Sequence, residues 1–183
     1  MSVENFAPEF KTPAFVAALK ALVLGSKYLC RDVVLHHDEL ALYRVGAFFR
    51  EASLFDCTAL FGGIVGNTRM MVITSSPRGM GQLSERPDWG LAVMGANQLF
   101  KVLDVLTLKE KTQITVAHVP AAFEAYFRSY DAWLFDKWTV PQAQEDFREA
   151  VEMEAIVVHL EEEWRRRVER PPGMSSERRL VVA

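Results

Sequence analysis

Long apolar runs, a strong net charge and an abundance of cysteine are all missing from this sequence, and each absence excludes a class of protein. No stretch reaches the roughly 18 uncharged apolar residues of a membrane-spanning helix, so no conventional transmembrane segment is predicted. The formal net charge is only -3 over 183 residues. That value argues against a general nucleic-acid binder, which needs clustered basic charge to displace counterions. The N-terminus has no basic stretch followed by an apolar run, so no secretory signal is predicted.

The chain has two cysteines, Cys30 and Cys57. If the segments around them form a helical hairpin, the rise of the helix places them roughly 20 Å apart. A disulfide needs Cα atoms within about 7 Å. The sequence therefore predicts two reduced core thiols, which is consistent with an intracellular chain. Whether that chain belongs to the cytosol or an organelle stays open.

The clearest pattern in the chain lies between Asp38 and Phe61. Asp38 can cap a helix by accepting from its first free N–H groups, and Gly62-Gly63 can end it. A stripe of apolar residues at alternating spacings of four and three is typical of a helix seam buried against another helix. That stripe consists of Ala41, Val45, Phe48, Ala52, Phe55 and Ala59.

Other periodic segments predict a mostly α protein, in which an antiparallel helical hairpin and about three further amphipathic helices form a bundle. The helices are expected at 13–35, 38–61, 88–106, 121–138 and 141–170. The predicted domains are an N-terminal arm (1–12), one helical domain (13–170) and a flexible C-terminal tail (171–183). Two segments are ambiguous. Within the irregular excursion 62–87, residues 68–74 fit a short strand or a helical turn, and 108–119 fits a β segment or a linker.

Four metal-capable side chains stand in a row at 36–39, but adjacent residues at a turn point apart, so a structural turn is favoured over a metal site. His159 lies among Glu152, Glu162 and Glu163, where a solvated, ion-paired helix face is expected. No second Glu-x-x-His copy supports a di-iron bundle. No metal-ligating residue is therefore predicted.

The segments GGIVGNTRM and SSPRGMG contain glycines and a basic residue, yet neither matches a phosphate-binding loop. Ser75, Ser76 and His118 could supply a nucleophile and a base, but no Gly-x-Ser-x-Gly elbow supports them. We predict no catalytic residue and no cofactor.

Aromatic residues are densest between 121 and 138, where such a stripe is more often core or partner interface than a ligand cavity. The residues predicted as interface candidates are large side chains on helix faces. They are Phe48, Phe55, Tyr126, Tyr130, Trp133, Trp138 and Trp164.

Three short segments, Gly25-Ser-Lys-Tyr-Leu29, Tyr43-Arg-Val-Gly46 and Leu103-Asp104, resemble the peroxin-eleven family of peroxisomal membrane-shaping proteins in kind and order. The resemblance covers roughly the first hundred residues, and the long apolar regions of that family are missing. It implies a helical protein that binds or shapes a membrane.

The leading hypothesis is a non-enzymatic structural or interaction subunit of a larger intracellular assembly, which docks through apolar helix faces and terminal arms. It predicts protein partners or a homo-oligomer and no specific nucleic acid. One alternative is a peripheral membrane-binding or membrane-shaping protein. The other is a small-molecule enzyme with a pocket between helices, for which a pocket holding His118 or His159 beside a carboxylate is required.

Overall fold

The computed structural model describes residues 6–76, 78–79, 85–175 and 179–183, with 78–79 described by their backbone alone. The strands are β1 (Lys27–Val33), β2 (Phe48–Glu51), β3 (Phe55–Thr58), β4 (Thr68–Thr74), β5 (Arg78–Gly79), β6 (Leu91–Met94), β7 (Gln98–Leu108) and β8 (Lys111–His118). The α-helices are α1 (Pro13–Leu24), α2 (His37–Leu40), α3 (Glu124–Arg128), α4 (Trp133–Glu152), α5 (Val157–Leu160) and α6 (Glu162–Val168). Short 3₁₀ turns precede β6, α3 and α4.

The strands form one mixed sheet in the order β2-β7-β8-β4-β1-β3-β6-β5. Strands β4 and β8 run parallel, and the other described pairs are antiparallel. A register shift between Val102 and Asp104 interrupts the β7–β8 ladder, and such bulges bend a strand and increase its twist. The prediction of a mostly α helical bundle is therefore wrong.

The predicted central helix at 38–61 is short helix α2 followed by strands β2 and β3. Gly46 has a φ of +85°, a conformation that interrupts a helix. Beyond it burial alternates with a period of two, since Phe49 and Glu51 are buried while Phe48 and Arg50 are half-buried. A strand presents alternate residues to opposite faces. The same residues therefore carry both the period-two pattern of a strand and the apolar stripe from which a helix was predicted.

Two other predicted helices are also shorter or absent. Helix α1 ends at Leu24, because Gly25 takes the C-cap position and the chain enters β1. The segment 88–106 forms β6 and β7, and Asn97 with a φ of 60° lies in the turn between them. Both ambiguous segments contain strands, β4 at 68–74 and β8 within 108–119.

The chain after Pro120 is helical, although its breaks differ from the prediction. Helix α4 continues through Pro141, which was expected to start a new helix. The chain then leaves the helix at Met153 and resumes as two short pieces, α5 and α6. The predicted helix 141–170 is therefore interrupted near the residues that form the site described below.

The sheet curls around a core on its concave face. In a flat sheet, the four strand spacings between β7 and β3 would separate these strands by about 19 Å. The rings of Phe100 on β7 and Phe55 on β3 instead lie 5.6 Å apart, and Phe49 on β2 stacks on Phe100 at 5.4 Å. Met174 from the C-terminal part of the chain is buried in the same core. The segment predicted as a flexible tail thus contributes to the interior.

The opposite, convex face is covered by α1, α3 and α4 and by the residues before α1. Phe6 and Phe10, which belong to the predicted arm, are buried against Tyr126. None of the helices in the described part of the chain combines the length and apolarity that crossing a bilayer requires.

The two cysteines are buried and free, but the predicted separation of roughly 20 Å is wrong. Cys30 on β1 lies opposite Thr58 on β3, the residue next to Cys57. The hairpin assumed for that estimate does not exist, and adjacent strands bring the two segments together.

The interface candidates divide into interior and surface residues. Phe55, Tyr126 and Trp164 are buried, and Phe48 and Trp133 are half-buried. Tyr130 and Trp138 are exposed by 78% and 41%. Whether these two contact a partner stays a prediction.

Candidate functional site

An open cleft of about 420 Å³ lies between the end of β1 and helices α5 and α6. Its floor comes from the chain around Asp32 to His36 and from the turn at Val65-Gly66. Helix α6 and His159 form the opposite wall. Neighbouring strand and helix segments therefore build the cleft, whereas the sequence analysis expected a pocket between helices.

A buried ion pair holds the floor. Asp32 on β1 lies directly opposite Arg69 on β4 in the strand register. The Arg69 guanidinium donates to both oxygens of Asp32, from Nε at 2.7 Å and from Nη2 at 2.9 Å. Val65 N–H also donates to Asp32 Oδ2 at 2.9 Å. Both oxygens of the Asp32 carboxylate therefore accept hydrogen bonds, and one of these bonds holds the turn at Val65-Gly66 in place.

The glycines of GGIVGN allow close backbone approach and do not form a phosphate loop. A Cβ on Gly63 would lie 2.2 Å from the Met153 carbonyl oxygen, and one on Gly66 would lie 2.7 Å from that of Val33. Gly66 also has a φ of +94°, which favours glycine. Arg69 Nη1 donates to the Gly62 carbonyl at 2.9 Å. The loop is therefore clamped between β1, β4 and the break after α4.

His159 is the one buried histidine of the cleft wall, with 4% of its surface exposed. Its ring stacks on Trp164, with centroids 5.0 Å apart and an interplanar angle of 23°. Its Nε2 is buried and has no hydrogen-bond partner in the described part of the chain. Burial lowers the pKa of His159 below its usual value of 6.5, the Asp32 charge and a hydrogen bond with the Trp89 backbone oppose that effect, and the Arg69 charge adds to it. A neutral imidazole is expected near pH 7, with one ring nitrogen able to accept a proton.

The rim of the cleft carries charges of both signs. Arg166 pairs with Glu162 at 2.5 Å. Glu161, which lies four residues before Arg165, pairs with Arg86 instead at 2.7 Å. Arg165 and Glu169, which also line the cleft, make no ion pair with a described residue, so the rim offers one free charge of each sign. Four valines, Val33, Val34, Val65 and Val168, also line the cleft among these polar residues.

The other residues that the sequence analysis considered do not form part of the site around His159. His36 lines the cleft, while its N–H donates to Glu39 Oε2 at 2.8 Å, as in a structural turn. Within the described ranges, no group of three His, Cys, Asp or Glu side chains could hold a metal ion. His118 contacts Thr74 Oγ1 at 3.3 Å and Gln98 Oε1 at 2.7 Å, and so pairs with neither predicted serine. Residues 77, 80 and 81 of SSPRGMG lie outside the described residues, and 78–79 are described by their backbone alone.

The burial of His159 was not predicted, because a solvated helix face was expected there. The apolar run 155–158 was the available signal, since four such residues in a row do not fit a continuous polar face. The contact with Trp164 depends on the break before α5, which periodicity did not reveal.

Comparisons with known proteins are limited to folds. No protein-family model matches the sequence, and no curated protein matches it. Solved structures that are similar include the type III effector XopAI from Xanthomonas axonopodis pv. citri, at 11% identity and a TM-score of 0.45, over 52% of this chain and 44% of that one. The ADP-ribosyltransferase HopU1 of Pseudomonas syringae pv. Tomato DC3000 matches at 14% identity and a TM-score of 0.47, over 51% and 46%.

A third similar structure is exoenzyme S from Pseudomonas aeruginosa, in complex with human 14-3-3 protein beta and bound to carba-NAD. It matches at 14% identity and a TM-score of 0.46, over 59% of this chain and 56% of that one. The chain spans less than half the length of XopAI and HopU1. With TM-scores below 0.5, these likenesses assign no activity, ligand or partner to this chain.

The prediction of a non-enzymatic helical scaffold is nevertheless wrong. The helical bundle on which it depended is a curled mixed sheet, so the apolar helix faces that were to dock on partners do not exist as predicted. The membrane-shaping alternative assumed that the segments resembling the peroxin-eleven family are helical. That assumption is wrong, because Leu103-Asp104 and most of Gly25–Leu29 lie in strands or turns. Protein partners and an intracellular location stay predictions.

Proposed function

We propose that this chain is an enzyme that takes a small anionic molecule into the cleft beside His159, with His159 as the proton acceptor. The observation that carries this proposal is the buried, unpartnered Nε2 of His159 in the wall of an open cleft. A pocket with convergent polar groups and a titratable group of shifted pKa is the default candidate for an active site.

The lining indicates the chemical class of the ligand. Four valines line the cleft beside the polar residues, so a ligand with a small apolar part can be accommodated. Arg165 offers an uncommitted guanidinium, which binds carboxylate or phosphate through paired N–H donors. Asp32 is already paired with Arg69 and adds no free negative charge. A carboxylate or phosphate monoester with an apolar body fits this combination.

His159 would act as a general base on that ligand. Its ring is held by Trp164, and burial favours the neutral form. A base whose pKa lies below 7 is unprotonated at neutral pH and can accept a proton in the reaction. The proton then resides on the imidazole, where the Asp32 charge favours the protonated form and the Arg69 charge of the same ion pair opposes it.

Thermal-shift screening of a panel of carboxylates, phosphate monoesters and nucleotides (NAD⁺ among them) tests the binding step. We expect hits among anions with an apolar body, and we expect Arg165→Gln to abolish the shift. Arg148→Gln is the matched control, since this exposed arginine on α4 does not line the cleft. Hits that survive Arg165→Gln, or a panel without hits, would contradict the proposed site.

The catalytic step is tested with the ligand that the screen identifies. His159→Gln should keep the affinity within about threefold and lower turnover by about 10²–10⁴-fold, the usual contribution of a general base. Full turnover in His159→Gln would remove the proposed base while leaving the binding site intact.

A further inference from the structure

Two side chains of opposite charge at the rim of the His159 cleft are left without ionic partners. Arg165 and Glu169 both line the cleft and are both exposed. Neither makes an ion pair with a residue in the ranges that the structure describes. The other charged side chains that line the cleft are paired, as Asp32–Arg69 and Glu162–Arg166. The charges that a ligand can neutralise in this cleft are therefore one cation and one anion.

The free guanidinium of Arg165 results from a pairing that the fold redirects. The α6 sequence places three glutamates four residues before three arginines, which is the favourable order for ion pairs on a helix. In that register the partner of Arg165 is Glu161. Glu161 instead pairs with Arg86, at 2.7 Å between Oε2 and Nη1. Arg86 therefore takes the carboxylate that would otherwise neutralise Arg165, and the Arg165 charge stays available to the cleft.

The carboxylate of Glu169 lies where the helix itself does not favour one. Glu169 is the C-cap residue of α6. The free carbonyl groups at the end of a helix carry partial negative charge, so a carboxylate is disfavoured there. Arg165 precedes Glu169 by four residues, which is the less favourable order for an ion pair on a helix. Helix stability therefore does not account for a glutamate at this position on the cleft.

The spacing of the two residues brings their charges close together. Side chains four residues apart share one face of a helix, and their Cα atoms are separated by about 6 Å along its axis. A ligand that neutralises both charges must therefore carry an anionic and a cationic group near each other. The four valines of the lining, Val33, Val34, Val65 and Val168, can contact an apolar part of the same ligand.

We propose that the ligand of this cleft is a free amino acid with an aliphatic side chain. Its carboxylate binds the Arg165 guanidinium, which offers paired N–H donors. Its ammonium group donates to the Glu169 carboxylate, and its side chain contacts the valines. This inference rests on the proposed function, in which Arg165 binds an anionic group, and it adds the second charge that the ligand carries.

Three molecules of nearly the same shape test the charges separately. Free valine carries both groups, isovalerate lacks the ammonium group, and isobutylamine lacks the carboxylate. Isothermal titration calorimetry on the wild-type protein measures their affinities. We expect valine to bind at least about tenfold more tightly than either analogue, because each analogue leaves one rim charge without a charged hydrogen-bond partner.

Two substitutions assign the charges to their residues. Glu169→Gln should make valine and isovalerate bind with equal affinity, and isovalerate should bind no more weakly than to the wild type. Arg165→Gln should weaken valine and isovalerate and leave isobutylamine unchanged. Glu145→Gln is the matched control, since this exposed glutamate pairs with Arg148 on α4 and does not line the cleft. The substituted side chains are exposed, so all three variants should fold.

The outcomes separate this proposal from the proposed function. If valine and isovalerate bind the wild type equally and Arg165→Gln weakens both, the anion site stands and the amino-acid ligand is ruled out. A preference for valine that persists in Glu169→Gln would contradict the role of Glu169. If none of the three molecules binds, an aliphatic amino acid is not the ligand, and the wider anion panel decides the proposed function by itself.

Discussion

Strand β1 presents one charged residue to each face of the sheet, and the two side chains have different kinds of partner. Asp32 faces the His159 cleft and forms a two-fold ion pair with Arg69 on the neighbouring strand. Arg31 faces the concave interior, where its guanidinium donates to the backbone carbonyls of Asp56 and Arg170. The first charge is neutralised by an ion pair within the sheet, and the second is held by hydrogen bonds to backbone carbonyls. We infer that the ion pair contributes more to the free energy of unfolding than the contacts on the concave face.

The largest expected effect comes from breaking the fixed pair. Arg69→Met leaves Asp32, whose side chain is 8% exposed, without its cation. Loss of one partner of a buried pair typically costs about 3–5 kcal/mol, so urea unfolding should show a loss of that size. Arg148→Met, which breaks the exposed pair with Glu145, is the control and should cost about 0–1 kcal/mol. Similar losses from the two variants would mean that the pair with Asp32 is not structural.

A smaller effect is expected on the other face. Arg170→Gln removes one charged donor from Glu51, which keeps Ser53 and the Gly173 N–H. Since the Arg170 side chain is 46% exposed, we expect a loss of about 1 kcal/mol, below the usual range for a buried charged hydrogen bond. Urea unfolding at neutral pH measures it. A loss equal to that of Arg69→Met would make the two faces equivalent and would remove the distinction drawn here.

The smallest effect concerns pH. Burial lowers the pKa of His159 from 6.5 in the folded state, so the unfolded chain takes up a proton first as the pH falls. Stability should therefore be independent of this group well above pH 6.5 and should decrease as the pH falls below that value. His159→Gln should reduce the decrease, as measured by urea unfolding between pH 5 and pH 8. His118, whose pKa is also lowered by burial, accounts for part of the remaining slope. An unchanged slope in His159→Gln would contradict a neutral His159.

A segment of this fold could be predicted where contacts between residues close in sequence decide its structure, and could not where distant strands decide it. Helices α3 and α4 fall where aromatic and apolar periodicity placed helical structure, because i to i+4 contacts are local. Between 38 and 61 the same residues fitted a helix stripe and two short strands, and Gly46 was the local sign against a helix. Partner strands decided the outcome, and the parallel β4–β8 pairing is not encoded in either segment alone.

The candidate site was harder to predict for the same reason. His159 was recognised as a candidate, but its burial depends on Trp164 and on a break in the chain before α5. Arg31 and Glu51 lie 20 residues apart in strands that are not neighbours in the sheet. Their shared partner, Arg170, reaches both side chains only because the sheet curls and the chain after α6 lies against its concave face. No spacing rule in the sequence relates these residues.

The most direct test of the proposed function is a ¹⁵N NMR measurement of the histidine ring nitrogens, with and without the anion identified by screening. We expect His159 to be neutral at pH 7 and its ring signals to shift when the anion saturates the cleft, while those of His118, which lies outside the cleft, stay in place. A His159 that is protonated at pH 7, or whose signals do not respond to the bound anion, would contradict the proposal.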